Sequence, residues 1–199
     1  MATISFEFDP LKAAAAVAFL ASHGLNDLTS GKICRLLFLA DKLHLVRYGR
    51  TITGDLFTAS ATGPMPSKIQ ELLDRIVSGD KDVTLEPLAA LFVERKFKQA
   101  RFALKGELKF DEWLSRSDIG ALEETLRRSG GKSTEELTAL IAAMPAFVNA
   151  RRETTNYAPP IKYEDFFIED SDAVAGSLEE AIEDSQLRDA FAAPKAFVA

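Results

Sequence analysis

The stretch that decides the fold lies at residues 32–67 and reads KICRLLFLADKLHLVRYGRTITGDLFTASATGPMPS. Its first part has the composition of an interior helix, which Gly49 is placed to end. At about 100° per residue, apolar side chains occupy most of the helix circumference, whereas Lys32, Arg35 and Lys42 share one narrow polar edge. We therefore predict a buried, central helix with one polar edge.

Two polar residues interrupt the apolar face of this helix. Asp41 and His44 lie three positions apart, so they share one side of the helix, where an unpaired carboxylate would be costly to bury. The following turn, residues 50–55, is rich in donors, and we expect it to satisfy them. Three interpretations are open: a structural hydrogen-bonded pair, contact with a partner, or a base with its orienting carboxylate. No motif marks a serine or cysteine nucleophile, which favours the structural interpretation.

The rest of the chain combines further helical patterns with short extended runs. Residues 56–60 predict one strand, residues 63–66 a stiff proline connector, and Ser67 with Gln70 a capping box that opens the next helix. Residues 91–104 predict a β hairpin. Further helices are predicted after the start signals Asp9-Pro10, Ser115, Ser133 and Ser177. The expected fold class is mainly α with a small antiparallel β hairpin.

The charge of the chain is unevenly distributed. The net charge is −6 over 199 residues, and residues 1–150 hold equal numbers of basic and acidic side chains, 19 of each. The excess of acid therefore lies entirely in residues 151–199, with 5 basic and 11 acidic side chains. Nucleic-acid binders rely on clustered Lys and Arg against phosphates, so this pattern argues against nucleic acid and favours a protein partner.

Several other classes of protein are also disfavoured. The chain has two histidines and one cysteine, Cys34, which lies in the apolar helix, and no metal-ligand spacing, so no metal site is expected. No Gly-rich phosphate loop follows residues 63–64, and no cofactor is expected. No apolar run is long enough to span a membrane. Because residues 1–9 do not resemble a secretory signal, we expect a cytoplasmic location.

The motifs at residues 32–67 resemble the signature of a known family. The residues that carry the resemblance are KICRLLFLAD ending at Asp41, His44, YGR at 48–50, ITGD at 52–55 and GPMPS at 63–67. In this order and spacing they are similar to the Panacea domain, the SocA-like antitoxin family that includes phage-associated proteins. Weaker similarity extends the resemblance over residues 8–150.

The resemblance implies a mainly helical domain that neutralises a toxin by direct protein contact in a two-gene toxin–antitoxin system. It implies no catalytic residues and no cofactor, so the chain is not expected to be an enzyme. The expected partner is a cognate protein toxin encoded by the adjacent gene. One alternative is a proteolytic adaptor that delivers the toxin to an ATP-dependent protease, with residues 196–199 as a recognised terminus. Another is a hydrolytic enzyme that uses Asp41 and His44.

Residues 1–150 are expected to form the Panacea domain, and residues 151–199 an acidic extension with a helix. The expected structural signature consists of Asp41, His44, Gly49, Gly54, Asp55, Gly63, Pro64, Pro66 and Ser67. The candidate toxin contacts come from the loop and from an acidic, aromatic segment of the extension: Arg50, Thr53, Met65, Tyr163, Phe166 and Phe167.

Overall fold

The structure is a computed structural model, and it describes residues 4–80, 85–96, 99–153, 157–168, 170 and 172–192. Within these residues a mainly α fold carries two small antiparallel hairpins, which confirms the predicted fold class. The helices are α1 (Pro10–Ser22), α2 (Ser30–Tyr48), α3 (Ser67–Ser78), α4 (Arg116–Ser129), α5 (Thr134–Ala142), α6 (Pro145–Glu153) and α7 (Ser177–Ala192). The strands are β1 (Phe57–Ser60), β2 (Gly63–Pro66), β3 (Leu91–Lys96) and β4 (Gln99–Leu104). Short 3-10 helices lie at Glu86–Leu88, Phe110–Glu112 and Tyr163–Phe167.

Helix α2 runs through the centre of the molecule, as the sequence predicts. It contacts α1, α3, α4, α5 and α7, and most of its side chains are fully buried. Thr29 caps its start, and Gly49 ends it in the left-handed conformation. Neither α2 nor any other helix in the described ranges is long and apolar enough to cross a membrane.

Two of the three cations on the polar edge of α2 are buried. Lys32 is 1% exposed and Arg35 is 6% exposed. Lys32 is ion-paired, with its Nζ 2.7 Å from Asp27 Oδ1, and the Arg35 guanidinium donates to the carbonyls of Gly31 and Thr62. A buried cation is tolerated when its donors are satisfied in this way. Arg35 therefore ties the turn between β1 and β2 to the central helix.

The hairpin of β1 and β2 corrects the prediction of a proline connector, because β2 pairs with β1 as a true strand. Two-sided pairing of β1 explains how proline fits there. On its other side, Ala59 N donates to Pro159 O at 2.7 Å, and Phe57 O accepts from Ile161 N at 2.8 Å. The prolines of β2 lie opposite these same two β1 residues. These are non-hydrogen-bonded positions of the β1–β2 pair, where β2 does not have to donate an N–H, so proline fits there. The second hairpin, of β3 and β4, confirms the prediction for residues 91–104, although residues 97–98 of its turn lie outside the described residues.

The acidic C-terminal part packs on the body of the protein. Phe166 is buried and meets Phe38 of α2 edge to face, with ring centroids 5.3 Å apart. Glu164 Oε1 accepts from Ile4 N at 2.6 Å, so the first described residues close over this segment. Helix α6 continues through residue 150, and the helix predicted after Ser177 is α7. Four buried residues of this part therefore share a core with α2: Ile161, Tyr163, Phe166 and Ala181.

The Gly54 backbone lies too close to the N-terminal segment to accept a side chain. Gly54 has φ +71°, and a Cβ there would lie 2.0 Å from Glu7 O. Gly54→Ala is therefore expected to lower the free energy of unfolding by about 1–3 kcal/mol. Gly120→Ala is the matched control, because Gly120 lies inside α4 with no atom near its Cβ position, and alanine there should raise stability by about 1 kcal/mol.

Urea unfolding of both variants measures these two effects. Similar free energies of unfolding for the two variants would contradict the close packing of Gly54 against Glu7.

Candidate functional site

The carboxylate of Asp41 holds the loop that follows α2. Its Oδ1 accepts from Ile52 N at 2.8 Å and from Thr53 N at 3.0 Å, and its Oδ2 accepts from Thr53 Oγ1. Asp41 and Thr53 are both fully buried. The expectation that the turn at residues 50–55 supplies donors to this carboxylate is thus confirmed.

Burial raises the pKa of Asp41 to about 6, although the hydrogen bonds from Thr53 and Ile52 favour the charged form. The folded chain therefore takes up a proton at Asp41 at a pH where the unfolded chain is still ionised. This proton uptake stabilises the folded state most fully below about pH 4, and the contribution is lost as the pH rises through the folded pKa.

A second signature carboxylate, Asp55, caps α3. Its Oδ2 accepts from Lys68 N at 2.9 Å and from Ile69 N at 2.7 Å, and its Oδ1 accepts from Ser67 Oγ at 2.9 Å. The predicted capping box of Ser67 and Gln70 is wrong, because Ser67 is the first residue inside the helix and the preceding residue has no capping side chain. A carboxylate from twelve residues upstream takes that role and favours the helix N-terminus electrostatically.

His44 joins α2 to α4 through a buried polar cluster. Its Nδ1 donates to Arg50 O at 2.6 Å, and its Nε2 lies 3.1 Å from both Asp118 Oδ1 and Ser117 Oγ. Asp118 is fully buried, and its Oδ2 lies 2.9 Å from Lys12 Nζ. Burial tends to raise the pKa of Asp118, but hydrogen bonds from His44, Lys12 and the capping serine of α4 outweigh it and hold the pKa well below its usual range.

Asp41 and His44 do not form the pair that their spacing suggested. Across the described part of the chain no hydrogen bond joins them, and each is committed to its own partners. In a serine-hydrolase triad the carboxylate orients the imidazole through Nδ1, whereas here Nδ1 binds a carbonyl and Nε2 faces Ser117 and Asp118 together. Both signature side chains are fully buried. The geometry favours the structural interpretation over hydrolysis.

The sequence analysis missed the roles of Asp118, Arg35 and Lys12. Asp118 was visible as the third residue after the capping Ser115, but that motif carries no information on its long-range bond to His44. Arg35 was expected only to share the polar edge of α2, and no local pattern marks Lys12. Across the described ranges, no group of three or more His, Cys, Asp and Glu side chains is placed to hold a metal ion.

The structure separates the six candidate toxin contacts into two sets. Thr53, Tyr163 and Phe166 are buried and contact other residues of the chain's own core. Tyr163 Oη, for example, donates to Asp55 O at 2.7 Å. These three therefore offer no surface to a partner in this structure. The other three, Arg50, Met65 and Phe167, are partly exposed and remain candidates.

Replacement of Asp41 tests its structural role. Asp41→Ala is expected to lower the free energy of unfolding by about 2–4 kcal/mol, because it leaves buried donors of Ile52 and Thr53 unpaired. Asp41→Asn should cost less, since its oxygen can accept from the two amides and its NH₂ can donate to Thr53 Oγ1. Equal losses in urea unfolding would contradict the hydrogen-bonded role.

The same variants test the raised pKa of Asp41. The free energy of unfolding of the wild-type chain, relative to that of Asp41→Asn, is expected to rise as the pH falls from about 7 to about 5. Urea unfolding at both pH values gives this difference. The contributions of the other titrating groups are the same in the two proteins and cancel in the difference. A difference that does not change with pH would contradict a pKa of about 6.

Comparison with known proteins identifies the family. A family model described as "Antitoxin SocA-like, Panacea domain" matches residues 33–145, more than half of the chain. The matched range contains Asp41, Asp55 and Asp118, the three buried carboxylates that organise the site. No curated protein and no solved structure matches the chain. The match confirms the resemblance, and the chain belongs to the SocA-like antitoxin family with its Panacea domain.

Proposed function

We propose that this chain is the antitoxin of a toxin–antitoxin pair and that it neutralises a cognate protein toxin by direct binding in the cytoplasm. The match of an antitoxin family model to residues 33–145 carries the proposal. The expected partner is the product of the adjacent gene, and no cofactor takes part in the binding.

The use of the buried polar groups supports a binding role. The carboxylates of Asp41 and Asp55 accept hydrogen bonds from backbone amides and hydroxyl groups. His44, on α2, binds the carbonyl of Arg50 and contacts Ser117 of α4. These side chains make a rigid scaffold. A preorganised surface loses less conformational entropy when it binds a partner, so such a scaffold favours tight protein contact.

The outer face of the loop at residues 50–67 is the proposed toxin contact. Arg50 and Met65 are partly exposed there, and Leu56 is 53% exposed. Leu56 is a large apolar side chain in a loop that is otherwise fixed from beneath by Asp41 and Asp55. The buried centre of a protein interface is more apolar than its rim, so an exposed leucine on a fixed loop fits that position.

Co-expression of the adjacent gene tests the proposed function. The adjacent product alone should stop growth, co-expression of this chain should restore it, and the two proteins should purify together with the toxin at undiminished abundance. Absence of both rescue and co-purification would overturn the proposal. Rescue accompanied by loss of the toxin, dependent on an ATP-driven protease, would instead support the adaptor alternative.

Substitution at the loop tests the proposed contact. Leu56→Asp should weaken toxin binding by at least about tenfold, because it places a charge in an apolar contact. Leu187→Asp is the matched control: Leu187 is 57% exposed on α7, outside the proposed surface. Calorimetric binding constants for the two variants decide the point, and equal weakening would place the contact elsewhere.

A further inference from the structure

A cavity of about 390 Å³ lies between α2, α4, α5 and a segment of the acidic C-terminal part. Its apolar lining comes from Leu39, Leu43, Leu140 and Met144. The body of the protein supplies three cations to the cavity, Lys42, Arg128 and Lys132. Both carboxylates that line it, Asp170 and Asp172, come instead from residues 168–176, which we call the acidic strap. The cavity is therefore a basic recess that the chain covers with its own acidic segment.

Ion pairs hold the strap in the recess, and a backbone hydrogen bond from Val174 N to Val46 O at 2.9 Å holds the end of the strap that lies nearer α7. Lys42 Nζ is paired with Asp170 Oδ2, and Asp172 is paired with Arg128 and with Arg47, whose Nη2 lies 2.6 Å from Asp172 Oδ1. Arg128 also contacts Glu124 on its own helix. The side chains of Lys42 and Asp170 are only 14% and 12% exposed, so leaving Lys42 without an anion would be costly. These pairs give the strap a defined position, and a segment that displaces it must bring carboxylates for the same cations.

Other features of the strap agree with displacement. Its ends are fixed, since Phe166 before it is buried and Ser177 Oγ after it donates to Val46 O at 2.7 Å. Between these ends, Ile168 is 40% exposed and Val174 is 54% exposed. Asp170 and Asp172 could therefore leave the recess while the 3-10 helix, Val174 and α7 remain in place.

The recess keeps unused positive charge even when the strap is bound. The Lys132 ammonium makes no hydrogen bond or ion pair with any described residue. Burial lowers the pKa of Lys42 to about 8, although the nearby Asp172 raises it, so an added anion close to Lys42 would favour its charged form. Helices build the recess, whereas the described residues of the strap lie in no helix or strand.

We propose that this recess is the docking site for an acidic segment of the toxin, and that the strap is a built-in competitor that occupies it in the free antitoxin. The inference rests on the proposed function and names the chemistry of the partner. The opposite arrangement, in which the strap's aspartates bind a basic toxin, leaves the helical recess and Lys132 without a use. In the proposed arrangement the toxin's carboxylates replace Asp170 and Asp172 and also reach Lys132.

A synthetic peptide tests the recess without the toxin. The probe is a fluorescent peptide with the strap sequence IEDSDAVAG, residues 168–176, titrated against the full chain by anisotropy. The double variant Asp170→Asn with Asp172→Asn should bind it at least about tenfold more tightly than wild type, because a tethered competitor acts at a high effective concentration. Adding Arg128→Gln should remove the binding, with thermal unfolding as the control for folding. Equal binding of the peptide by wild type and by the double variant would overturn the proposal. So would a peptide with asparagine in place of both aspartates that binds the double variant as tightly as the strap peptide does.

Binding of the adjacent-gene toxin tests the partner. Asp170→Asn with Asp172→Asn should tighten toxin binding, and Lys132→Glu should weaken it, each by roughly tenfold. The matched controls carry the same charge changes at exposed positions away from the recess: Glu179→Gln with Glu183→Gln, and Lys109→Glu. Neither control should change affinity beyond the general effect of net charge.

The outcomes separate the inference from the proposed function. Weaker toxin binding by the double aspartate variant would show that the strap itself contacts the toxin, which overturns the inference and leaves the antitoxin function standing. Unchanged toxin binding by Lys132→Glu would do the same. A wild-type chain that neither binds the toxin nor rescues growth would refute the proposed function, and the inference about the toxin would fall with it, while the peptide titration would still report whether the recess takes an acidic segment.

Discussion

The hydrogen bonds from Ile52 and Thr53 to the carboxylate of Asp41 are the interaction on which the rest of the structure depends. A carboxylate on the apolar side of a central helix would be costly to bury alone. The loop after α2 removes that cost by turning its amides inward at this point. The position of the loop is therefore set by the need to satisfy one buried charge.

Other contacts follow from this placement. Once Thr53 is fixed, Gly54 presses against the backbone of the N-terminal segment, and the Asp55 carboxylate reaches the free amides of α3. The carbonyl of Asp55 accepts from Tyr163, which brings the C-terminal segment into the same core. One loop thus connects the start, the middle and the end of the chain. A substitution at Asp41 should therefore also weaken contacts that Asp41 does not make itself.

This arrangement divides the molecule into scaffold and surface. The residues of the predicted signature are mostly interior and hold the fold, whereas toxin recognition is proposed for the outer face of the loop and for the basic recess beneath the acidic strap. The excess acid of the C-terminal part has a role in this division, because two of its aspartates neutralise cations of α2 and α4. An acidic tail that would look like a free ligand for basic partners is here partly engaged within its own chain.

The sequence by itself determined the helical fold class, the central helix, most helix starts, and the need of Asp41 for donors from the next turn. These features follow from local periodicity, capping residues and short loops, and all of these signals lie within short stretches of the sequence. Only the tertiary structure decided that His44 meets Asp118 rather than Asp41, that Lys32 and Arg35 are buried, and that β1 is paired on both sides. Each of these depends on partners many residues away, and the sequence pattern around a residue does not say which distant group satisfies its charge.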